Sequence, residues 1–411
     1  MLSTQLLQMT ERRLFRLDDT LLEHANEYLR MISNGTSDLV QLFGPQIANV
    51  TLRNLLNMHS GIREFDNEYM RQYSNSHRLE DLSPMWILNN MDRTFECDPG
   101  TCGKYSSTNY VLLGLVVARY SGALSWDKLD QREWIERIPL HKAEVGPSGS
   151  FQSIYYGVHG PLSAFSTADK PLGTFSTSVH GYQPAIALPQ WPGCSDATDL
   201  GCPALDVTSM SCTQGWTCGN LVTKPVAVVD YWWALLGPDR RQYNLLSDAT
   251  HASLFQFVQG DYFSAGYQFG YSLGLTNYTS MPGLGGHGPF YGHGGMTYGY
   301  ACMSGINLKS NFSVRTLPYA LYYAELHARV FGCVMLLLLL LLLLLLLSLL
   351  PLLLCSMRGS MGTRSTTFRG SFLYTMHLQG LLSGIVPAPG QLQVTRHSRE
   401  NSESKAPAQV H

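Results

Sequence analysis

Residues 105–114 read Tyr-Ser-Ser-Thr-Asn-Tyr-Val-Leu-Leu-Gly (YSSTNYVLLG). Two serines stand before an apolar run that ends at Ser121-Gly122, so a helix is expected over Asn109–Tyr120, capped by Ser106 or Ser107. A helix this apolar on every side belongs in a core, and Tyr105 then sits at its N-terminus. Upstream, Leu6, Leu7 and Leu14, then Leu21, Leu22, Ala25 and Leu29, recur near helical spacing, with Asp18 or Asp19 as the cap between two helices. Thr51 opens a short helix over Leu52–Met58 that Ser60-Gly61 stops. Pro225 suits the first turn of a helix that runs to Leu236 and closes at Gly237. Residues 143–220 are rich in Gly, Ser, Thr and Pro and read as loops and short strands. Further on, Phe269, Tyr271 and Leu273 alternate, as do residues from Phe290 to Met303, among many glycines. That is a strand pattern with room for a ligand near the backbone. Helices first and strands last, without regular alternation, predict an α+β domain.

The chain has 411 residues and a formal net charge of -2, without a long basic run. It is long enough to bury a large core and lacks the electrostatic footprint of a nucleic-acid binder. A small molecule or a membrane is the expected partner. Phe331–Cys355 carries no charge and contains Leu336–Leu347 as unbroken leucine, so a transmembrane helix is expected there. A low-complexity repeat is the competing reading. Arg358, Arg364 and Arg369 follow the run, which implies a single-pass protein with a cytoplasmic C-terminus and an extracellular or lumenal N-terminal domain. Met1–Phe15 has too small an apolar centre for a signal peptide, so a leader upstream of this sequence is expected. Six cysteines in three local pairs, Cys97/Cys102, Cys194/Cys202 and Cys212/Cys218, favour three short disulfide loops over a zinc site. Sequons at Asn34, Asn49, Asn277 and Asn311 are compatible with a glycoprotein.

Three segments carry a family resemblance: Leu52–Ile62 (LRNLLNMHSGI), Tyr105–Gly114 (YSSTNYVLLG) and Gly292–Tyr300 (GHGGMTYGY). In this order they resemble three landmarks of the serine β-lactamase-related family, of class C β-lactamase, D-alanyl-D-alanine carboxypeptidase and esterase type. Leu6–Asp19 resembles the helix and turn after that family's active-site serine, and Gly215–Leu236 a later helical segment. The resemblance implies a β-lactamase/transpeptidase-like, penicillin-binding-protein-like fold: a helical lobe plus an antiparallel sheet flanked by helices. The expected organisation is then a β-lactamase-related domain over 1–314, a linker over 315–330, the membrane helix over 331–355 and a disordered basic tail over 356–411.

The resemblance also implies the site. Tyr105 matches the family's tyrosine and His293 the first residue of an H-x-G form of its K-T-G strand. These two are the expected catalytic residues, with Ser107, Gly294, Gly295 and the Met296 N–H as oxyanion and substrate-binding positions. Ser107 stands where the family commonly has Asn, and offers one hydroxyl in place of an amide. A phenol beside a helix N-terminus is expected to have its pKa lowered by the helix dipole. Without its flanks, Tyr105 reads as a packed tyrosine and His293 as a surface-loop histidine. His59-Ser60-Gly61 is structural by resemblance, and Ser60 a poor nucleophile candidate. His287 and His293 as metal ligands lack a third partner at suggestive spacing, so no metal and no cofactor is expected.

The family's S-x-x-K belongs before the segment that ends in Leu17-Asp18-Asp19, which places it ahead of Met1. Ser125–Lys128 (SWDK) and Ser402–Lys405 (SESK) lie in the wrong order or in the polar tail and read as chance matches. The expected function is a serine-hydrolase-like domain for ester, amide or β-lactam substrates, truncated and catalytically incomplete as written. The alternative is a non-catalytic, membrane-anchored binding protein that keeps the fold.

Overall fold

A computed structural model describes residues 1–136, 154–157, 182–184, 204–206, 210–211, 215–223, 225–262, 269–281, 288–297, 300–309, 312–314 and 395–396. Every one of these belongs to a compact unit made of Met1–Leu317 and Val394–His411; a second unit, Pro318–Gln393, lies outside the described residues.

The helical lobe is built around α7. In chain order its helices are α1 (Leu2–Glu11), α2 (Leu21–Ile32), α3 (Leu39–Phe43), α4 (Leu52–Leu56), α5 (Glu68–Ser76), α6 (Pro84–Asn90), α7 (Thr108–Tyr120) and α8 (Glu133–Glu136). Val111–Ala118 is buried without interruption, as an apolar sequence demands, and α1, α2 and α4 pack against it. Helix starts follow local chemistry. Thr20 caps α2 and Thr51 caps α4, each in a reciprocal box with the residue three positions on, Glu23 and Asn54. The two caps also face each other: Leu21 N–H donates to Val50 O at 2.8 Å and Leu52 N–H to Asp19 O at 3.1 Å. Neither aspartate expected to cap α2 does so, because the box needs a Glu at the third helical position and only Thr20 has one. Asp18 is spent on Arg53, in a two-pronged pair at 2.7 and 3.0 Å.

Asp38 caps α3 and also accepts from Asn26 at 3.0 Å and Arg30 Nε at 2.7 Å. The Asn26 bond, above all, with the helix N–H donors and Arg30, holds its carboxyl below the usual carboxylate range. A depressed carboxylate stabilises the fold above its unfolded pKa, about 3.9. That contribution should vanish as pH falls through the lower folded value. In urea melts at neutral pH, Asp38→Ala is expected to cost about 2 kcal/mol or more. The difference from wild type should shrink in acid below about pH 3.9; a pH-independent difference would contradict the assignment.

The strands are β1 (Tyr155–Tyr156), β2 (Tyr182–Pro184), β3 (Ala204–Asp206), β4 (Leu221–Val222), β5 (Val258–Gly260), β6 (Phe269–Tyr271), β7 (Thr276–Asn277), β8 (Phe290–Thr297), β9 (Tyr300–Asn307), β10 (Phe312–Val314) and β11 (Thr395–Arg396). Seven form one antiparallel sheet in the order β11-β10-β9-β8-β7-β6-β5, while β1 pairs with β4 and β2 with β3. Helix α9 (Pro225–Leu236), followed by α10 (Arg240–Tyr243) and α11 (Asp248–Ser253), packs on β9, where Trp232 Nε1–H donates to Ser304 Oγ at 2.9 Å. The architecture is thus a helical lobe with an open antiparallel sheet.

β10 and β11 are hydrogen-bonded neighbours, Ser313 opposite Thr395. The membrane expectations are corrected here. Among the described residues no helix is long and apolar enough to cross a membrane, and Phe331–Cys355 itself lies outside them. The transmembrane part of the fold class, the membrane partner and the single-pass localisation are therefore withdrawn.

Of the expected disulfides, Cys97–Cys102 forms, Cys194/Cys202 lies outside the described residues, and Cys218 carries a free thiol rather than a bond to Cys212.

Candidate active site

Tyr105 and His293 come from opposite ends of the domain and meet. Their ring centroids are 6.3 Å apart, and Tyr271 on β6 packs edge-on to both, at 6.2 Å from Tyr105 and 5.8 Å from His293. Tyr105 is placed by the start of α7, whose Ser106 and Thr108 hydroxyls both donate to Arg63 O, at 3.0 and 2.8 Å. Beneath it, Met58 is held by Ser106 N–H and Asn109 Nδ2–H on its sulfur.

The His293 tautomer follows from its partners. Nδ1 faces the Gly294 carbonyl, which can only accept, so Nδ1 carries the hydrogen. Nε2 then accepts from the Tyr271 hydroxyl at 2.9 Å. Burial lowers the His293 pKa to about 4, and the ring is neutral at physiological pH. Tyr271 also hydrogen-bonds Tyr110, whose hydroxyl lies 3.0 Å from Ser3 Oγ, so a buried polar chain runs from α1 through α7 and β6 to β8.

The glycines of β8 leave an edge open. β7 pairs with β8 only at Tyr291 and Gly292; beyond them no described strand covers that side. Gly294 N–H turns to the Tyr278 hydroxyl at 2.8 Å on that side. By the two-residue alternation of a strand, Met296 N–H points the same way. Gly295 is exposed, and a Cβ there would meet Cys302 Sγ at 3.1 Å. Phenol, imidazole and backbone donors thus border one open strand edge, an arrangement able to polarise a carbonyl laid along it.

Ser107 is elsewhere occupied. Its N–H donates to Glu64 Oε2 at 2.6 Å and its hydroxyl bonds the same carboxyl. This corrects the expected titration of Tyr105. Burial pushes the phenol well above its ordinary value, and the Glu64 carboxylate pushes it further. The positive end of the helix is already taken by an anion. Ser60 is structural, donating to Asn109 Oδ1 at 2.6 Å and accepting from Ile62 N–H. His287 lies outside the described residues, and His293 has both nitrogens engaged. Sequence reasoning missed Glu64, Tyr110, Tyr271 and Tyr278. Of these, Tyr110 lies inside the 105–114 motif and Tyr271 in the middle of an alternating run, while Glu64 and Tyr278 carried no signal.

The beta-lactamase family profile matches residues 1–317. The chain belongs to the beta-lactamase family. Among solved structures, this beta-lactamase-family chain is similar to a D-stereospecific amidohydrolase from Streptomyces sp., with 20% identity, TM-score 0.52 and coverage of 75% of this chain and 76% of that one. A penicillin binding protein from Bacillus halodurans gives 16% identity, TM-score 0.50 and 77% coverage of each chain. An octameric penicillin-binding protein homologue from Pyrococcus abyssi gives 16% identity and TM-score 0.51, over 80% of this chain and 64% of that one. At such identity the likeness is one of fold. No curated protein matches the sequence.

Proposed function

We propose that this domain is an acyl-substrate site of the beta-lactamase family that binds and polarises an ester, amide or β-lactam carbonyl without forming an acyl-enzyme. The convergence of Tyr105, Tyr271 and His293 on the open edge of β8 carries the reading. Tyr105 and His293 are the polar groups assigned to the reacting end. The Met296 N–H is assigned to the carbonyl oxygen, Gly294 and Gly295 to the room beside the strand that a ligand needs, and Ser107 to holding Glu64. An acyl-enzyme needs a hydroxyl with a base beside it. Ser60, Ser106 and Ser107 are each tied to Asn109, Arg63 O or Glu64, and the nearest described lysine in sequence, Lys104, is spent on Asp261 at 2.7 Å. The polar chain from Ser3 to His293 has neutral members throughout, so it can orient a proton but supplies no strong base.

Incubation with benzylpenicillin and with a fluorophosphonate, followed by intact-mass spectrometry, is expected to show no covalent adduct, while calorimetry shows reversible binding of the penicillin. Stoichiometric labelling abolished by one serine substitution would overturn the incompleteness. Absence of reversible binding would overturn the acyl-substrate reading.

A further inference from the structure

The end of α3 and the 3-10 turn after it, Pro45–Asn49, line an open groove of about 580 Å³ together with the segment 91–95. That volume falls within the range small-molecule sites occupy, roughly 300–1,000 Å³. Phe43 and Met91 are buried in its wall, whereas Leu42 and Phe95 are only half-buried and keep apolar surface for a ligand. Phe43 and Phe95 meet edge-on at 6.4 Å, so the wall is aromatic on both sides. The groove shares no residue with the site bordered by Tyr105 and His293.

Two charged side chains line the groove, Asp92 and Arg93, and they differ in what already engages them. Asp92 Oδ1 accepts from the Thr94 N–H at 3.0 Å and from the Thr94 hydroxyl at 2.8 Å, while Oδ2 lies 3.4 Å from Arg63, which also reaches Glu96. The Thr94 hydroxyl accepts in turn from Arg63 Nε at 2.8 Å, so the acidic part of the rim is tied into a network. Arg93 is exposed, and among the described residues it makes no hydrogen bond or ion pair. An exposed guanidinium is stable in water alone, so nothing compels it to bind. What counts is that its donor fork stays available beside an apolar wall. A carboxylate fits such a fork with two parallel bonds, and one free guanidinium matches one negative charge.

We infer that this groove is a second binding site, for a small monocarboxylate with an apolar aryl or alkyl body: the body lies against Leu42 and Phe95, and the carboxylate on Arg93. The rival is a crevice that holds only water. An amine on the same body is the poorer ligand, because the acid that would receive it, Asp92, is already bonded to Thr94 and faces Arg63. The inference does not rest on the acyl-substrate reading, and its failure leaves that reading standing.

Three probes share one body and differ only at the head: 4-phenylbutyrate, 4-phenylbutan-1-ol and 4-phenylbutylamine. Calorimetric titrations of the whole chain run at about pH 7, where carboxylate, ammonium and guanidinium are all charged. The butyrate is expected to bind about two- to fivefold tighter than the alcohol, which is what a solvent-exposed ion pair warrants, with the amine weakest. Arg93→Glu should reverse the order of acid and amine, and Arg93→Lys should keep the acid first. Because Arg93 is exposed, both variants are expected to melt with the wild type. Leu42→Ala trims the apolar wall away from the head group, and should weaken all three probes while the acid stays ahead. The expected pattern places the ligand in the groove and its charge on Arg93. No binding of the butyrate by the wild type, equal affinity for the three heads, an advantage of the acid that survives in Arg93→Glu, or unchanged binding in Leu42→Ala overturns the inference.

Discussion

Gly114→Val is expected to leave no cooperatively folded protein. Gly114 lies at the middle of α7, with buried neighbours on every side. A Cβ there would sit 2.7 Å from both Trp216 Cζ3 and Thr217 Cγ2, and closer still to Thr217 Oγ1. The wedge cannot retreat freely, because Thr217 Oγ1–H donates to the Tyr110 carbonyl at 2.7 Å and Trp216 is fully buried. α7 cannot back away either, since α2 and α4 press on it. Ordinary overpacking costs about 1–3 kcal/mol, and contacts this short belong at or above the top of that range already for Gly114→Ala. Valine adds two more carbons. Urea denaturation of Gly114→Ala should show a loss of about 3 kcal/mol, and Gly114→Val should lack a native baseline. Thr217→Ala should recover part of the alanine defect, with a coupling of about 0.5–3 kcal/mol. A Gly114→Ala protein with wild-type stability would contradict the packing.

The second large effect is expected at Trp134. Its side chain is fully buried, edge-on to Tyr231 of α9 at 5.3 Å, and its indole N–H donates to the Tyr156 hydroxyl at 3.2 Å. One residue thereby ties α8, α9 and β1. Trp134→Ala removes the packing of all three and leaves the Tyr156 hydroxyl without its donor, for a cost of about 3–5 kcal/mol. That corresponds to roughly 6–20 °C in melting temperature for a domain of this size. Trp134→Phe keeps a ring against Tyr231 and should cost much less. Equal damage from both variants would mean that the N–H, and not the ring, carries the effect.

What the sequence made legible divides by range. Helix boundaries were readable because caps are local: Thr51, Pro225 and Gly237 each sit where the residue type demands. The α2 cap was misplaced by one or two positions only because the Thr20/Glu23 box was overlooked. Tyr105, Tyr110 and His293 lie inside motifs that stand out in the chain, whereas Tyr278 and Glu64 have unremarkable neighbours. Glu64 reaches its partner across 43 positions, and no local pattern announces that. The same blind spot produced the wrong sign for the Tyr105 phenol. The helix end was visible in the sequence, but the carboxylate already occupying it was not. Cys97 and Cys102 close a loop five residues apart and were paired correctly, while Cys218 faces Glu64 and keeps its thiol. The leucine run shows the limit of composition. Its residues permit a span by length and hydropathy alone, whereas among the described residues no helix is long and apolar enough to cross a membrane.

The two capping boxes that face each other across Thr20 and Thr51 have a kinetic consequence. Because each helix start lends a backbone bond to the other, neither can fray alone: opening the first turn of α2 removes the carbonyl that receives Leu52, and opening α4 removes the donor that binds Asp19. The pair behaves as one local unfolding unit, of higher opening energy than either single helix end. α4 runs directly into Met58, the residue that supports Ser106 and Asn109 beneath the tyrosine. The timescale on which the floor of the cleft loosens is therefore set some distance away, by the shared lifetime of two threonine caps.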